Sequence, residues 1–131
     1  MINDSFLLKV ATMEHNAAVA TLIERPYSIC YLEAERKLTH LYLENDTRFT
    51  INAMIQELED VLPPNLFFHC GNSYLVNVSK VLEFWATAEP ILVISCGHIL
   101  PVPPGEVQNV LDFLGNDKLN LENKPRIVAF R

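Results

Sequence analysis

Glu33 and Glu35 stand two residues apart in a stretch that alternates apolar and polar side chains. A strand would place both carboxylates on one face, the arrangement that general acid and base chemistry needs. Arg36 and Lys37 follow directly, and exposed acids beside two cations read more simply as a solvated strand end. His69-Cys70 and Cys96-Gly97-His98 offer the sulfur and imidazole that zinc prefers. Neighbouring strand residues point to opposite faces, however, so a full ligand set does not converge without a kink. A Cys70–Cys96 disulfide is another use of these thiols, and ordinary core burial is the simpler one. With four glycines in the chain there is no Gly-rich phosphate cradle, and neither a nucleophile elbow nor a paired-histidine zinc helix is present. No enzyme, cofactor or metal is expected.

The elements that must position these residues belong to one domain. Half of the 131 residues are hydrophobic and 20% are charged, enough apolar surface for a single ordered core. No apolar run is long enough for a transmembrane helix and the N-terminus lacks a basic signal-peptide region, so a cytoplasmic protein without a membrane partner is expected. The odd cysteine count, three, gives no closed disulfide framework. A formal charge of -6 opposes indiscriminate attraction to a phosphate backbone, so any nucleic-acid role must rest on local placement.

Period-2 alternation suggests strands over 6–10 and 19–23, although the Ala-rich stretch from Met13 to Ile23 also tolerates a helix. Strands are predicted over 28–34, 38–44 and 48–51, the last two joined by the turn formers Asn45-Asp46-Thr47. Asn52 is a candidate N-cap, and Ile51, Ile55, Leu58 and Leu62 form one helical stripe that Pro63-Pro64 terminates. Strand character returns over 66–69, 74–85 and 91–95. Val107, Val110, Leu111 and Leu114 predict a second short helix, with Gly115 beyond its end. The tail, 116–131, carries Lys118, Lys124, Arg126 and Arg131, and 126–130 could add an edge strand.

Read in order, these segments resemble the LytTR family of bacterial DNA-binding domains, the output module of many response regulators. Tyr31-Leu32-Glu33-Ala34 looks like that family's early strand motif, and Leu58-Glu59-Asp60-Val61-Leu62-Pro63 like the end of its helix. The sharper match is Phe67-Phe68-His69-Cys70-Gly71-Asn72-Ser73-Tyr74-Leu75-Val76-Asn77: two aromatics, a short polar loop, then Ser, an aromatic, two aliphatics and Asn. Leu100-Pro101-Val102 before a short helix resembles the closing motif. The resemblance spans about residues 6–115, with 116–131 as a tail of the same single domain.

The resemblance implies a mainly β, elongated domain of small antiparallel sheets with two short helices, whose loops enter the major groove of duplex DNA. Asn72 then reads a base edge, Ser73 donates to a phosphate oxygen, and His69 and Lys80 lie near phosphates. Asn77, beyond the loop, is expected to be structural. The departures from the family pattern are specific. His69 and Gly71 stand at loop positions where Arg and His are common, and Pro103-Pro104 replaces Ser-Arg. Between residues 69 and 115 the one formal cation is Lys80, against Glu83, Glu89, Glu106 and Asp112. Binding is therefore expected to be weak or dependent on repeated half-sites, with a homodimer or heterodimer on DNA, in a transcriptional regulator without a receiver domain. The alternative is an interaction module of the same fold that has lost DNA recognition and titrates a partner regulator.

Overall fold

The computed structural model describes residues 4–115 and 124–129, with side chains from residue 14 onward. The first element is a helix, α1 (Asp4–Glu24), which replaces the strands expected over 6–10 and 19–23. The Ala-rich composition that tolerates a helix prevails, because Ala18 and Leu22, one helical turn apart, are buried together against the sheet. Glu14 on α1 accepts the Thr50 backbone N–H at 3.0 Å, so the helix also satisfies a donor on an edge strand.

Among the described residues, nine strands follow in two sheets. In the first, β1 (Ile29–Glu35), β2 (Leu38–Leu43), β3 (Arg48–Ile51), β4 (Phe67–Cys70) and β5 (Tyr74–Asn77) run in the order β3-β2-β1-β5-β4, all antiparallel. The second orders β6 (Val81–Ala86), β7 (Ile91–Ile94), β8 (Ile99–Pro101) and β9 (Arg126–Ala129) as β8-β7-β6-β9. β9 is the tail strand anticipated from the sequence, and it pairs parallel to β6, so the second sheet is not wholly antiparallel. The tail residues 116–123, with Lys118, and the terminal Arg131 lie outside the described residues.

The first sheet is buried on both faces. Leu32, Leu41, Ile51 and Leu75 meet α1 and α2 (Ile55–Glu59) on one side. Tyr31, Phe68, Cys70 and Val76 face a second core shared with Phe84, Leu92, Ile94 and Leu100 of the other sheet and Val110 of α3 (Val107–Leu114). A bulge in β1 at Cys30 breaks the strict alternation, so Cys30 and Tyr31 both join this second core while Ile29 and Leu32 join the first. The stripe Ile51, Ile55, Leu58 and Leu62 is buried as its spacing requires. The helix itself begins only at Ile55, and Asn52 is an exposed bend rather than its N-cap.

The expected long strand 74–85 is divided. Asn77 accepts from the Ser79 backbone N–H at 2.9 Å, which turns the chain through a 3-10 turn, Val78–Lys80, into the second sheet. Its Nδ2 donates to the carbonyls of Ile29 at 2.9 Å and Tyr27 at 3.3 Å. Asn77 is fully buried and every polar group is paired, the structural role expected of it.

Candidate nucleic-acid interface

The β4–β5 hairpin carries the polar loop. Cys70 pairs with Tyr74, leaving Gly71, Asn72 and Ser73 as the turn. Gly71 has φ +70, a conformation that side chains disfavour, and a Cβ there would lie 3.1 Å from Pro103 Cγ. The turn therefore packs directly on the segment after β8. Cys70, Gly71, Tyr74, Pro101 and Pro103 line a groove of about 320 Å³ beside Asn72 and Ser73. Two of the departures from the pattern that the sequence resembles meet here, because the missing side chain at 71 makes room for the proline ring at 103.

Asn72 and Ser73 are exposed. Among the described residues the Asn72 side chain makes no hydrogen bond, so it does not hold the turn by bonding its own backbone. The Ser73 carbonyl accepts from Ala34 N–H at 2.7 Å, which ties the turn to the end of β1. Two residues further on, the β1–β2 turn presents Arg36 and Lys37, both exposed and without an ion-pair partner among the described residues. Two loop tips, one polar and one cationic, thus share one rim of the first sheet. Reading the sequence alone missed Arg36 and Lys37 as neighbours of residue 73, since only the β1–β5 register brings them there.

His69 and Lys80 are placed elsewhere. Alternation along β4 turns His69 away from the buried Cys70, and its Nε2 lies 2.7 Å from a Glu59 carboxylate oxygen at the end of α2. Lys80 sits at the far end of β5 from the turn, 3.6 Å from Glu44. Glu44 also accepts from Ser95 and from the Cys30 thiol, and so links the first sheet to the second. The Ser95 hydrogen bond holds its carboxyl below the usual value of 4.5 against the opposing effect of burial, with Cys30 and Lys80 adding to it. A second link joins the Tyr31 hydroxyl to His98 Nδ1 at 2.7 Å, and burial raises the Tyr31 pKa.

The thiols and imidazoles of the zinc reading have separate partners. Cys70 Sγ donates to the Pro101 carbonyl, and its thiol is pushed up to about 11 by burial and by Glu106. Cys96 lies beside Cys30 rather than serving a cluster with His69, and burial, then Cys96 and Glu44, push the Cys30 thiol up to about 12. All three cysteines are free. Among the described residues no helix is long and apolar enough to cross a membrane.

Two small β-sheets that share a core and carry two turns on one rim define a mainly β domain. Residues 20–115 match the model of the LytTr DNA-binding domain, and the chain belongs to that family. The match begins within α1, later than the resemblance over 6–115 suggests. The transcriptional regulatory protein YpdB of Escherichia coli K12 is 36% identical over 55 residues, which are 42% of this chain and 22% of that protein. YpdB of Shigella flexneri matches to the same extent. The matched segment thus spans about a fifth of the length of these relatives. A LytTr DNA-binding domain from Bacillus cereus has the same fold, with TM-score 0.61 and 27% identity, over 69% of this chain and 84% of its own.

Proposed function

We propose that this chain is a transcriptional regulator that binds duplex DNA sequence-specifically through the rim formed by the β4–β5 and β1–β2 turns. The observation that carries this reading is the exposed amide of Asn72 beside the cations Arg36 and Lys37, none of them with a side-chain partner among the described residues. A side-chain amide has a donor and an acceptor spaced to pair with the N6 and N7 edge of adenine in the major groove. Ser73 donates to a phosphate oxygen, and Arg36 and Lys37 supply the backbone attraction that the span 69–115 lacks. His69 and Lys80 add to this only where Glu59 and Glu44 release them, so their substitution has a small effect on affinity. With few cations on the rim, binding gains from a second copy on repeated half-sites.

The apolar groove beneath the turn favours a second reading, a protein-interaction module that modulates a partner regulator. Selection of bound fragments from random duplexes at low salt separates the two. The DNA reading requires an enriched motif that Asn72→Ala binds more weakly than wild type. Absence of a motif, or equal binding by both proteins, transfers the assignment to the interaction module.

A further inference from the structure

Outside the rim described above, one group of side chains brings ligand types together across the β1–β2 ladder. Glu33 pairs with His40 in register, and Glu35 follows Glu33 on the same face. One ligand atom from each of these residues lies within 4.8 Å of the others, the one such group of His, Cys, Asp and Glu among the described residues. We propose that Glu33, Glu35 and His40 bind a divalent first-row transition-metal ion.

Three features carry the assignment. His40 Nε2 and Glu35 Oε2 are 3.1 Å apart. Two donors about 2.1 Å from one ion, at tetrahedral to octahedral angles, are separated by about 3.0–3.4 Å, so this pair already has the spacing of adjacent ligands. The two separations from Glu33 are no more than 4.8 Å, and Glu35, with its side chain 64% exposed, has room to turn toward a shared ion. Two of the three ligands are also held from behind. His40, only 7% exposed in its side chain, has Nδ1 2.7 Å from Thr50 Oγ1, and Glu33 Oε1 accepts from the Tyr42 hydroxyl at 3.0 Å. Hydrogen-bonded supports of this kind fix the orientation of metal-ligating imidazoles and carboxylates. Without metal, Nε2–H donates to Glu35; an ion displaces that proton to solvent, Nδ1–H then donates to Thr50 Oγ1, and the Nε2 lone pair becomes the ligand beside Glu35. The third feature is charge and hardness. One neutral imidazole and two carboxylates cancel a double positive charge and suit manganese to zinc, rather than copper(I), which selects sulfur. Solvent completes the coordination on the exposed side of Glu35.

The test uses the full chain, stripped with a chelator and titrated with cobalt(II) alone, followed by visible absorption and calorimetry. The expected result is one cobalt per chain, visible d–d bands, and no sulfur-to-cobalt charge-transfer band. Glu33→Gln and Glu35→Gln each weaken binding at least tenfold while leaving the thermal midpoint of the metal-free protein unchanged, and Thr50→Val weakens it about tenfold. His40→Ala removes a buried ring, so the exposed Glu35 is the decisive position. No saturable cobalt spectrum, wild-type affinity in both glutamine variants, or a sulfur charge-transfer band that assigns the ion to cysteine would each overturn the site.

Discussion

Asn72 and Asn77 are five residues apart, carry the same side chain, and are expected to fail in opposite ways when cut to alanine. Asn77→Ala removes the acceptor for the Ser79 amide and hydroxyl and the donor to the Ile29 and Tyr27 carbonyls. The Tyr27 carbonyl and the Ser79 amide belong to exposed residues and recover water, whereas the Ile29 carbonyl is left in the core. At about 1–3 kcal/mol for the stranded carbonyl and about 1 kcal/mol for the lost turn bond, the loss is about 3 kcal/mol. With a urea slope of about 1.5 kcal/mol per molar, the midpoint falls by about 2 M. Asn72→Ala has nothing to strand inside the protein, so its midpoint stays within about 0.5 kcal/mol of wild type. Its DNA affinity instead drops by about 1–3 kcal/mol, about 5- to 150-fold, the worth of a bidentate base contact. Urea unfolding followed by the single tryptophan, and fluorescence anisotropy on a selected duplex below the midpoint, measure both quantities in each variant. Loss of stability in Asn72→Ala, or a change under 1 kcal/mol in Asn77→Ala, would refute the division of labour.

Further expectations rest on other contacts. Gly71→Ala places a Cβ at φ +70 and 3.1 Å from Pro103 Cγ, and is expected to lower stability by about 1–2 kcal/mol, partly restored by Pro103→Ala in a double-mutant cycle; an additive pair would deny the contact. If Arg36 and Lys37 each neutralise one phosphate, log affinity falls against log salt with a slope of about -2, and Lys37→Ala reduces it by about 1; an unchanged slope removes Lys37 from the interface. Glu44 has its folded-state pKa lowered, so its stabilisation is complete above the unfolded value of 4.5 and is lost as pH falls through the lower folded one. Thermal midpoints of wild type and Glu44→Gln should therefore converge below pH 4.5, and parallel curves would contradict the link.

The legible parts of the fold are those set by local spacing. Strands β1 to β3, the stripe that ends at Leu62, and helix α3 with Gly115 at its end follow from alternation and 3.6-residue periodicity. Helix α1 was harder to read, because Phe6-Leu7-Leu8-Lys9-Val10 fits a period of two and only the alanines argued otherwise. The break at Asn77 depends on the carbonyls of residues 27 and 29, which lie some fifty positions away and are invisible to any local window. The same holds for the rim. The polar loop was visible as a motif, whereas its cationic neighbours and the seat of Gly71 on Pro103 depend on strand register and on how the second sheet packs. The pairing of Glu33 and Glu35 was legible as well, but His40 joins them only across the β1–β2 ladder.

The contact of Gly71 with Pro103 also bears on how the rim meets a partner. A left-handed glycine seated against a ring whose own backbone angle is locked gives the turn little room to swing without carrying the 101–104 segment along. Loop tips that arrive already ordered forfeit little conformational entropy on docking, which lengthens residence on a matching site. The same stiffness leaves little scope to adapt to a mismatched one, so on the proposed reading of the rim selectivity would be a mechanical property of the scaffold as much as a chemical one.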